Sequence, residues 1–177
     1  MIVGTCTTLA VVASRYINVK KALSSLRPKN VQFLTIDDKE FVDQECQVND
    51  LKYHILMPFI HGAYTSNDRY FPLLRRIQAK CATIGIRLDI AFGSYYGNVP
   101  NKPETDHILE EILTVSKKQG VQYDARILAG HSMGGLVAAE NAMPSTYDAL
   151  IQIGCNMCGI KTKRSVASYP KVRLQTA

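Results

Sequence analysis

Apolar positions along this chain recur at two periods, and stretches of one period alternate with stretches of the other. Val31-Gln32-Phe33-Leu34-Thr35-Ile36 alternates at period two, the pattern of a half-buried strand. Asp37-Asp38-Lys39 supplies turn residues, so Phe41 to Val48 is expected to return as an antiparallel hairpin partner. Tyr53 to Ile60 is an apolar run ending in His61-Gly62, which fits a buried strand followed by a loop that needs backbone without a β-carbon. Pro58 argues against a central place for that strand, because proline donates nothing to a ladder. From Tyr70 to Thr83 the period changes: Phe71, Leu74, Ile77 and Cys81 share one helical face, leaving Arg75, Arg76 and Lys80 for solvent.

Gly85 ends that helix, and Ile86 to Phe92 reads as the next strand. The loop beyond it, Gly93 to Pro100, carries Tyr95 and Tyr96, candidates for substrate contact as much as for surface packing. Glu104 to Gln119 is helical again through Ile108, Ile112, Leu113 and Val115, with Gly120 as its stop. Ile127-Leu128-Ala129 is a short apolar run that passes, after a sharp turn, into a stretch rich in Ala, Leu and Glu. Met143-Pro144 breaks this helix, Asp148 to Ile153 forms a strand closed by Gly154, and Val172 to Gln175 forms another. The alternation of strand and helix predicts an α/β domain with a doubly wound, mostly parallel sheet and helices on both faces.

The turn Gly130-His131-Ser132-Met133-Gly134 is where chemistry is expected. A strand that turns directly into a helix forces its central residue into a strained conformation, and the residues two before and two after must be small for the backbones to clear. Gly130 and Gly134 meet that demand. The stretch resembles the nucleophile elbow, Gly-x-Ser-x-Gly, of the α/β-hydrolase family, here as Gly-His-Ser-Met-Gly-Gly. The resemblance implies a serine hydrolase of esters or related acyl compounds, with Ser132 as nucleophile and the Met133 N–H as one oxyanion donor. It also makes His61-Gly62 the oxyanion loop, with Ala63 giving the second N–H, and it calls for no metal or organic cofactor.

The same resemblance implies a triad in the order serine, acid, histidine. After Ser132 the chain holds two carboxylates, Glu140 within the helix that follows the turn and Asp148, and no histidine; His54, His61, His107 and His131 all precede it. Asp148 starts a strand, the wrong end for the site, and Asn156 stands at the acid's alternative location with an amide that cannot carry the charge. His131 should point away from the Ser132 hydroxyl. The resemblance covers about residues 31 to 177, so the expected fold is C-terminally incomplete, with acid and base outside these residues. A non-catalytic interaction module on the same fold is the alternative.

The 177 residues suit one domain after a leader of 1–30, and the 46% hydrophobic and 20% charged content is that of a globular chain. The net charge of +6 concentrates at the two ends without the aromatic interleaving of a nucleic-acid surface, so the basic residues are expected to be solvated and no nucleic-acid partner is implied. No apolar run is long enough to span a bilayer. Met1 to Ser14 is uncharged in its side chains but lacks a basic start, and it reads as a signal peptide, a leader or a first strand. Localisation and oligomeric state stay open. The five cysteines show no regular spacing, and Cys155 and Cys158 form a lone Cys-x-x-Cys, expected as reduced thiols and not as a zinc site.

Overall fold

The structure is a computed structural model that describes residues 31–36, 51–155 and 173–176. The expected leader, the return strand Phe41 to Val48, Asn156 and Cys158 lie outside the described residues. Six strands form the sheet: β1 (Gln32–Leu34), β2 (Tyr53–Ile60), β3 (Ile86–Phe92), β4 (Ala125–His131), β5 (Ala149–Ile153) and β6 (Arg173–Thr176), in the spatial order β1-β3-β2-β4-β5-β6. β1 runs antiparallel to β3, and every other pairing is parallel.

Three helices connect the parallel strands: α1 (Phe71–Ala82), α2 (Lys102–Lys118) and α3 (Met133–Asn141). α1 carries the chain from β2 outward to β3, whereas α2 and α3 carry it the other way, to β4 and then β5. Right-handed crossovers in opposite directions put their helices on opposite faces. The core divides accordingly. Leu74 of α1 packs with Met57, Phe59, Leu88, Ile90 and Phe92, while Leu109 and Ile112 of α2 and Val137 to Ala139 of α3 pack with Leu56, Ile60, Leu128 and Leu150. The strand order reverses direction between β2 and β4, and sheets of this kind bind ligands at the carboxyl ends beside such a switch point.

Two expectations are corrected. β2 is central despite Pro58, which is fully buried. The ladder accommodates it on one side: β2 pairs with β4 at Ile55 and Leu56 and again at Phe59 and Ile60, and lapses between, where the missing N–H would have been called on. Arg75 does not simply face solvent, since its Nη1 donates to the Thr35 carbonyl at 2.6 Å. Beside it Gln78 is fully buried, and its Nε2 donates to the carbonyls of Leu34 and Leu88 at 2.7 Å each, tying α1 to the edge strand β1 and its neighbour β3.

Replacing Gln78 by Leu keeps the volume but strands two carbonyls, each costing about 1–3 kcal/mol when left unsatisfied in a core. Urea denaturation of Gln78→Leu should show a loss of at least about 2 kcal/mol with little change in denaturant slope.

Candidate functional site

Ser132 stands between β4 and α3 with φ 51° and ψ −123°, at a positive φ that residues with side chains avoid. What holds it there is hydrogen bonding on both sides. Its N–H donates to the Ile153 carbonyl of β5 at 2.8 Å, and its own carbonyl accepts from Gly135 and Leu136 at 3.0 and 3.3 Å, starting α3. The turn is tight enough that a β-carbon on Gly130 would collide with the Gly134 carbonyl, and one on Gly134 would collide with the carbonyls of Ile60 and His61. Both glycines are therefore required by backbone contact, as the spacing predicts. The second collision shows that the first turn of α3 lies directly on the end of β2.

That contact brings the His61–Gly62–Ala63 loop beside the serine. A β-carbon on Gly62 would lie 3.5 Å from Ser132 Cβ and 3.0 Å from His131 Nδ1. Among the described residues neither the Met133 N–H nor the Ala63 N–H has an acceptor, and the Ser132 hydroxyl has no hydrogen-bond partner. Met133 is partly exposed. A half-buried hydroxyl thus lies beside two unengaged backbone donors on the flanking elements.

The histidines near it are occupied otherwise. His61 is buried, its Nδ1–H donates to the Gly62 carbonyl at 2.7 Å, and Tyr95 packs edge-on at 5.1 Å between ring centres. Burial, only partly offset by that hydrogen bond, lowers its pKa from 6.5. His131 turns from the serine toward Tyr70: the Tyr70 hydroxyl accepts the Gly62 N–H at 3.0 Å, leaving its own proton for His131 Nδ1 at 2.9 Å. Tyr70 therefore ties the loop after β2 to the elbow. Sequence patterning placed Tyr70 only at the start of a helix and missed this bridge, since nothing in local spacing joins positions so far apart.

Of the two loop tyrosines, Tyr95 is a core residue whose hydroxyl accepts from Thr105 Oγ1 at 3.1 Å, whereas Tyr96 is exposed. His107 is exposed on α2. Asp148 is engaged at the amino end of the sheet, accepting the Arg126 N–H at 2.9 Å. His54 lies at that end too, in a cluster that sequence reading missed. The buried Asp89 accepts from His54 Nε2 at 2.7 Å and from the Tyr123 hydroxyl at 3.1 Å. No group of His, Cys, Asp and Glu among the described residues could hold a metal ion, and no described helix is long and apolar enough to cross a membrane.

A doubly wound sheet whose switch point carries a serine at positive φ, between a strand and a helix, is an α/β-hydrolase-like architecture. The sequence matches no family model and no curated protein. Among solved structures the chain is similar to the monoacylglycerol lipase of Paleococcus ferrophilus, at 15% identity and a TM-score of 0.45 over 71% of this chain and 42% of that one. It is similar also to a ferulic acid esterase, at 18% identity and a TM-score of 0.45 over 71% of this chain and 58% of that one. A third is a thermophilic esterase of Thermogutta terrifontis, at 15% identity and a TM-score of 0.45 over 78% of this chain and 55% of that one. The chain spans about half the length of these structures. Likenesses this distant carry neither activity nor substrate across to it.

Two outcomes check the geometry. His61 is held neutral by burial, so the folded state takes up its proton less readily than the unfolded chain, and stability should fall as pH drops below 6.5. Melts from pH 8 to 5 should show this loss reduced in His61→Asn. Tyr70→Phe keeps the ring packing but deletes the bridge, which should cost about 1–2 kcal/mol and speed amide hydrogen exchange at Gly62.

Proposed function

We propose that these residues form the nucleophile-bearing part of a serine hydrolase acting on carboxylic esters or related acyl compounds. The observation that carries this reading is the strained backbone of Ser132 beside two unengaged N–H groups, those of Met133 and Ala63. Strain costing about 1–3 kcal/mol persists only where the surroundings enforce it, and it clusters at functional sites.

In the proposed reaction Ser132 Oγ attacks the acyl carbon while its proton passes to a base. The carbonyl oxygen takes the negative charge and is held by the N–H groups of Met133 and Ala63. Collapse breaks the bond to the leaving alcohol, which takes the proton, and water then releases the acid from the acyl-serine by the same steps. His61, Gly62, His131, Gly130 and Gly134 position these groups without touching the substrate. The described side chains supply no base: His54, His61 and His131 are bonded elsewhere, and His107 lies out on α2. On this reading the base is none of these four histidines.

The lack of a described base favours one second reading, a binding module that keeps the fold without catalysis. Turnover of a nitrophenyl ester separates the two. These 177 residues alone should hydrolyse it negligibly. A longer form carrying a histidine after the sheet should turn it over and lose at least about 10³-fold on Ser132→Ala, the scale of losing a triad member. A folded long form with no Ser132-dependent turnover would support the module.

A further inference from the structure

At the end of the sheet away from Ser132, the face covered by α2 and α3 contains a cavity of about 240 Å³. Leu56, Leu113 and Val121 give it an apolar wall, and Lys117 and Arg126 are its only charged residues. The hydroxyls of Ser145 and Thr146 complete the rim. Arg126 is the anomaly. It stands in β4 in register with the fully buried Leu56, so its side chain rises on the face that carries Leu128, Leu150 and the alanines of α3 and, one strand beyond Leu56, the buried Asp89. Its Nε is buried and has no hydrogen-bond partner among the described residues.

A cation on such a face is costly unless paired. The nearby carboxylate does not pair with it, since Asp148 accepts the Arg126 backbone N–H instead. No described Asp or Glu lines the cavity; Asp89, on the same face one strand beyond Leu56, is engaged by His54 and Tyr123. Two cations and an apolar wall, with no carboxylate among the described lining residues, describe a site for an amphipathic acid. The cavity displaces the volume of roughly eight waters at about 30 Å³ each, room for a molecule of about ten non-hydrogen atoms.

We propose that this cavity binds an organic monocarboxylate, its head group on Arg126 and Lys117 and its hydrocarbon body against Leu56, Leu113 and Val121. A carboxylate fits the planar guanidinium in a two-point bond, which inorganic phosphate matches without the apolar half. The site lies six strand residues from Ser132, about 20 Å at ~3.3 Å per residue, and is independent of whether that serine is catalytic.

Calorimetric titration of the 177-residue chain with octanoate, octanol and inorganic phosphate tests it. Octanoate should bind saturably at one site, with octanol and phosphate each at least about tenfold weaker. Arg126→Met, which keeps the stem and removes the charge, should weaken octanoate at least about tenfold and leave octanol unchanged. Lys117→Met, on the exposed side of α2, should weaken it less and guards against a folding defect in the first variant. Ser132→Ala should change nothing. Equal binding of octanoate and octanol, phosphate binding as tightly as octanoate, octanoate binding lost in Ser132→Ala or unaffected by both cation variants, or no saturable binding at millimolar concentration would each overturn the proposal.

Discussion

The contact between Gly134 and the end of β2 is the constraint on which the site depends. With the carbonyls of Ile60 and His61 pressed against the Gly134 α-carbon, there is no room for any side chain. This approach sets the position of α3 relative to β2, and so the position of the Gly62–Ala63 backbone relative to Ser132. The neighbouring contact of Gly130 with Gly134 then fixes how sharply the chain can turn. Protein interiors transmit such contacts because they are close-packed and yield little. Ser132 has its unusual backbone angles as a consequence: the strand and helix it joins are each held by their own packing, and one residue absorbs the mismatch.

The sheet divides its labour along its length. At the carboxyl ends of β2 and β4, Gly130 and Gly134 let backbones approach, the backbone donors of Ala63 and Met133 are unengaged, and Tyr70 couples the two elements through its hydroxyl. At the amino ends the same helix-covered face carries charge, with Asp89 buried between His54 and Tyr123 and Arg126 close by in β4. Tyr123 shows the low polarity of that region, since burial foremost, with the Asp89 charge behind it, pushes its phenol well above its usual range. Both hydrogen bonds fall on Asp89 Oδ2, while its buried Oδ1 has no hydrogen-bond partner among the described residues and lies 3.7 Å from Arg87 Nε.

The tight turn at Ser132 was legible in sequence because its demands are local. Two glycines at fixed distance from a serine, between an apolar run and a helix former, state a steric requirement within five residues. The strand and helix periods were legible for the same reason, and β3 emerged at the bounds its pattern predicts. What escaped depends on partners distant in the chain. Gln78 looks like a helix-surface residue until β1 and β3 present carbonyls to it, and Pro58 looks like an edge residue until the ladder to β4 lapses around it. Asp89 sits in an apolar run and gives no sign that His54 and Tyr123 will converge on it. The direction of His131 away from the serine was foreseen, but its partner was not, because Tyr70 lies on a different element.

Covalent capture of Ser132 tests the hydrolase reading most directly, since a fluorophosphonate reacts with an activated hydroxyl and not with an ordinary one. A folded form that includes a downstream histidine should gain one phosphonyl group, and peptide mass spectrometry should place it on Ser132. Absence of the adduct on a form that melts cooperatively, or its placement on any other residue, would contradict the assignment of Ser132 as nucleophile.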